Sequence, residues 1–171
     1  AIVAAARSDV ASRAAASDQA EWEREFGVAK DVSALGVERD VFRYLSLPVT
    51  VRLNAGGSTD ELARVVAAGV RAGGLLANGK PAASDTVGRS VSVSVAERLP
   101  AELERAIEAT GASVTVESGD EWLARARAGK LGTSRVRLLG GGHQELAAAL
   151  GGSPDVAIYS EVVTEAGRVE L

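Results

Sequence analysis

The sequence has no cysteine, no methionine and one histidine in 171 residues. Without cysteine there is no disulfide framework, no thiolate nucleophile and no zinc knuckle, and one imidazole does not make a histidine metal site. Aromatic residues are only 4% of the chain, and the formal charge is −4 with a pI near 5.1. That combination excludes the basic, aromatic-studded face that nucleic acid requires. No apolar run approaches the roughly 20 residues of a membrane span. No span is expected, and a cytoplasmic setting fits.

What is present is the balance of an ordinary soluble globule, 46% hydrophobic and 25% charged. The length suits one well-buried domain plus an extension. The chain opens at Ala1, lacks methionine and stops in a strand-like GRVEL, so it reads as a piece of a longer protein.

The most regular stretch is RSVSVSVAERLP, residues 89–100. Val91, Val93 and Val95 recur at every second position, the period of a strand with one deeply buried face. Pro100 suits the first turn of a following helix, with Leu103, Ala106 and Ile107 on one face. Around this unit the chain repeats the same alternation. LPVTVRL is a strand, and the capping box Ser58-Thr-Asp-Glu61 opens a helix carrying Leu62, Val65, Val66, Gly69 and Val70, ended by Gly73-Gly74. Residues 75–87 read as a long exposed loop. SVTVES (113–118) is a third strand, and a second capping box, Ser118-Gly-Asp-Glu121, starts a helix with Trp122, Leu123 and Ala126. Residues 135–139 are a fourth strand, Gly140-Gly141-Gly142 a tight turn, 143–150 a short helix, and DVAIYSEVV a fifth strand. Strands alternating with helices at this spacing require parallel pairing through crossovers. The expected fold is therefore α/β, a doubly wound, mainly parallel five-stranded Rossmann-like sheet over residues 47–171, preceded by a helical lead-in or linker over residues 1–46. Within the lead-in, residues 1–16 have few large apolar side chains and are expected to fray. Residues 17–26 form a better helix, with Trp22 and Phe26 one turn apart and Gly27 as its stop. Residues 28–46 read as a segment that wraps the domain.

Three places could carry chemistry. Open α/β sheets bind ligands outside the carboxyl ends of their strands, and Glu97 stands there after the second strand, able to accept from ribose hydroxyls. The loop over residues 54–59, with two glycines and two hydroxyls at a helix start, could cradle an anion, although it is not GxGxxG and a turn plus a helix cap is the favoured reading. Gly140 and Gly141 could let a pyrophosphate approach the backbone, with His143 beside them, or could simply form a tight turn. Glu102, Glu104 and Glu108 fall on or near the solvent face of their helix. No triad, metal cluster or acid/base pair can be assembled.

Several of these segments together resemble the aldehyde dehydrogenase superfamily. Ser94-Val-Ala-Glu97-Arg-Leu-Pro100 resembles the Lys-Pro-Ala/Ser-Glu-Gln-Thr-Pro segment that holds the adenosine ribose of NAD, with Ser94 in place of the lysine. Ser113-Val-Thr-Val-Glu-Ser-Gly119 looks like the family's Asn-Val-Val-Thr-Gly strand, and Leu138-Leu-Gly-Gly141 like its Phe-Thr-Gly-Ser turn near the pyrophosphate. Ala149-Leu-Gly-Gly-Ser-Pro154 resembles Glu-Leu-Gly-Gly-Lys-Ser-Pro, with Ala149 in place of the general base. The likeness covers about residues 47–160. The runs EREFGVAKDVSALGVERDVFRYLSLPVTVRL and PDVAIYSEVVTEAGRVEL are similar to the C-terminal region of the long bifunctional flavoenzymes of proline catabolism, the proline utilization A family.

That resemblance implies a parent in which a proline dehydrogenase with FAD and a glutamate-semialdehyde dehydrogenase with NAD precede this domain. It implies that the domain is non-catalytic, covers the tunnel between the two active sites and aids assembly. Its partners would be the catalytic domains of the same chain, and a homo-oligomer is compatible. No cofactor is expected in this stretch itself. A competing reading is a vestigial NAD or nucleotide module using Glu97, Gly140 and Gly141, and a free-standing enzyme ranks last because no nucleophile is present.

Overall fold

The computed structural model describes residues 1–74 and 91–171, and the loop expected over residues 75–87 lies outside them. The chain begins with helices α1 (Ile2–Ala6) and α2 (Asp9–Glu21), a π-helical turn (Trp22–Phe26) and two short strands, β1 (Lys30–Asp31) and β2 (Val41–Phe42). Then come β3 (Val49–Leu53), α3 (Thr59–Gly74), β4 (Val91–Val95), α4 (Ala101–Glu108), β5 (Ser113–Val116) and α5 (Gly119–Arg127). β6 (Arg135–Leu139), α6 (His143–Ala149), β7 (Ala157–Tyr159) and α7 (Gly167–Glu170) complete it. Among the described residues, no helix is long and apolar enough to cross a membrane.

Strands β3 to β7 form one five-stranded sheet, every pair parallel, in the order β5-β4-β3-β6-β7. The order runs outward from β3 to β5 and then returns to the other side of β3. Crossovers of one hand therefore put α3 and α4 on one face and α5 and α6 on the other. The two cores agree with this. Val51, Leu53, Val91, Val93 and Val95 pack with Leu62, Val66, Leu103 and Ile107. Val136 and Leu138 pack with Trp122, Ala126 and Leu146.

Local chemistry fixes the helix starts. Ser58 Oγ accepts from the Glu61 amide at 3.3 Å. At α5 the capping box is reciprocal: Glu121 N donates to Ser118 Oγ at 3.2 Å, and Ser118 N donates to Glu121 Oε2 at 2.7 Å. Each satisfies a backbone donor that the first turn leaves free.

The amino-terminal region departs from expectation. Residues 1–16 do not fray: α1 packs on α3 and α4, and α2 packs on α3 and α7. Ile2 enters the first core, and Ala11 and Ala14 are buried. Small side chains let helices approach closely, so this docking needs few large apolar residues. Arg64 of α3 is the anchor. It donates to both oxygens of Asp18 at 2.7 and 2.8 Å and to the Thr164 carbonyl at 3.0 Å. The helix expected over residues 17–26 is the end of α2 plus the π turn. The fifth strand is shorter than expected, and GRVEL is not a strand: Gly167–Glu170 is helical. A Cβ on Gly167 would stand 2.8 Å from Asp18 Cα, so only glycine allows this approach of α7 to α2.

Candidate functional site

The sheet reverses direction between β3 and β6, and the crevice at their carboxyl ends is where a doubly wound sheet takes its ligands. The loop after β3 and the turn after β6 meet across it. Asn54 N donates to the Leu139 carbonyl at 2.9 Å, and the Asn54 side-chain amide donates to the Gly141 carbonyl at 2.6 Å. Gly140, Gly141 and Gly142 all have positive φ, 78°, 85° and 91°. A Cβ on Gly140 would lie 3.1 Å from Gly57 Cα, and one on Gly142 would lie 2.7 Å from Asn54 Nδ2. The loop-to-loop contact thus already accounts for glycine at 140 and 142. In this arrangement the Asn54 side chain and the Gly57 backbone occupy the space between the two loops.

Behind Asn54 lies a polar network that holds it. Arg52, near the carboxyl end of the sheet's central strand β3, is fully buried. Its Nε donates to Asn54 Oδ1 at 3.0 Å, and its Nη1 donates to Ser94 Oγ at 2.8 Å and to the Glu117 carbonyl at 3.1 Å. Ser94 donates to Glu117 Oε1 at 2.6 Å, and Arg125 donates to both oxygens of Glu117 at 2.6 and 3.2 Å. Both guanidinium groups lie over the Trp122 ring, Arg52 at 5.4 Å and Arg125 at 5.0 Å from its centroid. Burial pulls the Arg52 pKa down from its ordinary value, and the Glu117 charge offsets part of that. Arginine remains protonated at neutral pH all the same.

The residues singled out in the sequence do not converge. Glu97 lies just beyond β4, exposed to solvent, and makes no hydrogen bond among the described residues. Gly140 and Gly141 belong to the turn after β6. Ser94 does not stand beside Glu97: its side chain is buried against Arg52 on the opposite face from Val93 and Val95. Ala149 packs at the edge of the second core. His143 Nδ1 lies 2.9 Å from Ser160 Oγ, but both are exposed and no carboxylate bonds the imidazole among the described residues, so the pair lacks the orienting group of a triad. Among the described residues there is no group of three or more His, Cys, Asp or Glu that would hold a metal.

Two features lie away from the crevice. At the amino ends of β3, β6 and β7 a cavity of about 400 Å³ is lined by Trp22, Phe26, Tyr44, Val65 and Gly69, with Arg137 and Glu170 on its polar side. Next to it β1 and β2 form an antiparallel arm. Its base is pinned by the Lys30–Glu25 ion pair, by Tyr44 Oη donating to Glu25 at 3.2 Å and by the Phe26–Tyr44 ring contact at 4.8 Å. Its outer part is apolar and bare: Val32, Leu35, Val37, Val41, Phe42, Leu45 and Leu47 are all exposed, Val37 at 96%. The segment expected to wrap the domain touches it at Leu45 and Leu47, which line the cavity beside Trp22 and Phe26, while Val32, Leu35 and Val37 are exposed.

The strand order, the two covered faces and the loops meeting at the reversal define a Rossmann-like, doubly wound α/β domain. No protein-family model, curated protein or solved structure matches the chain.

Proposed function

We propose that this chain is a non-catalytic α/β domain whose role is to pack on other protein surface. In the setting that the sequence resemblance implies, that surface belongs to the catalytic domains of a bifunctional, cytoplasmic proline-catabolism enzyme that converts proline to glutamate. There the domain covers the channelling tunnel and aids assembly, while FAD and NAD stay with the catalytic domains. The carrying observation is the arm. Seven large apolar side chains exposed between residues 32 and 47 form the kind of surface that soluble domains reserve for partners. The crevice filled by Asn54 weighs against the competing nucleotide-module reading.

The test mixes the chain with the catalytic portion of a proline utilization A enzyme and follows association by sedimentation, with NADH formation from proline as a second readout. Association at about 10 μM is expected, with a shorter lag in NADH formation. Val37→Asp and Leu45→Asp, both at exposed positions, should abolish both effects without unfolding the domain. No association at that concentration, or equal association by the aspartate variants, would refute the proposal. A saturable heat on titration with NAD alone would favour the nucleotide module instead.

A further inference from the structure

Parallel sheets are ordinarily covered on both faces, and their strands read as continuous apolar runs. Here β4 reads Val-Ser-Val-Ser-Val, and its serines face away from the first core. The register sets Thr50, Ser92 and Ser113 side by side in one row, and Ser94 beside Thr115 in the next. The second core, under α5 and α6, is built on β6 and β7 and includes none of these hydroxyl residues. Over them lies a hollow of about 250 Å³, with Arg125 on one wall and Thr133 on its rim.

The charge around this hollow is unbalanced. Glu117 is bonded bidentately by Arg125. Arg52, immediately behind Ser94, bonds only neutral oxygens, and its Nη2 is buried with no hydrogen-bond partner among the described residues. Two guanidinium groups therefore face one carboxylate. Ser94 lines the hollow and joins it to the charges behind, accepting from Arg52 and giving its own O–H to Glu117. Thr50 Oγ1 and Ser92 Oγ, 2.8 Å apart, add hydroxyls that can turn to donate. The lining has too little apolar surface for a hydrophobic ligand, and the volume falls below the roughly 300 to 1,000 Å³ of sites for drug-sized molecules. Net positive charge disfavours a cation.

We propose that the hydroxyl-lined hollow over β3, β4 and β5 is a binding site for a small oxyanion, with Arg125, the Thr115 hydroxyl and the Thr50–Ser92 hydroxyl pair as its contacts.

The test is an amide NMR titration of the full chain with sodium sulfate and, separately, sodium malonate, against sodium chloride at equal ionic strength. Saturable shifts are expected at residues 92–94 and 113–115 with sulfate, malonate or both, which distinguishes tetrahedral from carboxylate recognition. Thr115→Val keeps side-chain shape and strand propensity while removing a donor, and should weaken binding about tenfold. Ser113→Ala serves as the second variant, with a smaller loss expected. Shifts that are linear and match chloride, or variants that bind as tightly as the parent chain, would overturn the proposal. So would equal saturable binding of a neutral polyol such as glycerol, because charge would then play no part.

Discussion

Replacing Asp18 by leucine tests whether the amino-terminal helices belong to the domain. The Asp18 and Arg64 side chains are 3% and 1% exposed, so the pair has almost no contact with water. Removal from water pushes the Asp18 carboxyl up, and this outweighs the pull of the Arg64 guanidinium. The intact pair accordingly contributes little net stability. Breaking it is another matter, because Arg64 would stay buried with only the Thr164 carbonyl as partner. An uncompensated buried charge of this kind costs about 3 to 5 kcal/mol, a large share of the roughly 5 to 15 kcal/mol that holds a domain together. With a urea slope of about 2 kcal/mol/M, the midpoint should fall by roughly 2 M. The double variant Asp18→Leu/Arg64→Met removes both charges and should return to within about 1 kcal/mol of the parent. A loss below about 0.5 kcal/mol in the single variant would mean that α2 does not dock on α3, and the reasoning would fail.

Three further perturbations probe other joints of the structure. Gly167→Ala forces a methyl group against the Asp18 and Ser17 backbone, and chemical denaturation should register a loss of about 1 to 3 kcal/mol; an unchanged midpoint would place α7 elsewhere. Val93→Ala, on a strand paired on both sides and 2% exposed, should cost about 1 to 3 kcal/mol, and a change of a few tenths would make β4 an edge. The Ser118 amide and hydroxyl hold the Glu121 carboxyl below its ordinary value of 4.5. A depressed folded-state pKa means that the cap's contribution is complete above the ordinary value and is lost as pH falls through the folded one. Carboxyl NMR titration should show the low value in the parent chain and only a partial rise in Ser118→Ala, which loses the hydroxyl but keeps the backbone N–H that depresses it most.

The sheet was legible because its signals are local. The alternation of Val91, Val93 and Val95, the two capping boxes and the glycine stops each lie within a few residues, and the spacing of strands and helices implied parallel crossovers. What escaped was built by distant contacts. Ala11 and Ala14 are buried through close helix approach, which leaves no large-apolar period to read. GRVEL has the composition of a strand, yet Gly167 lies against residues 17 and 18 and the turn is helical. The arm over residues 28–47 shows neither period because its contacts are a few aromatic pairs, Phe26–Tyr44 and Phe42–Tyr44, while most of its apolar side chains stay exposed.

The candidate site was legible only in its location. That ligand chemistry belongs at the carboxyl ends of the strands follows from topology, and Asn54, Glu97 and the Gly140 turn are all there. What a reader of the sequence cannot see is that Asn54 reaches a carbonyl 87 residues away and that Arg52 reaches a serine 42 residues away. The first bond joins the two loops across the crevice, and the second holds the buried charge behind it. One signal did stand in the sequence. A strand flanked on both sides by parallel neighbours normally has no reason to place serine at alternate positions, because both faces are covered. Ser92 and Ser94 do so, and the row extends through Thr50, Ser113 and Thr115. The alternation that identified β4 as a strand therefore also marks a polar face, and with Arg52 beneath it that face attracts negative charge.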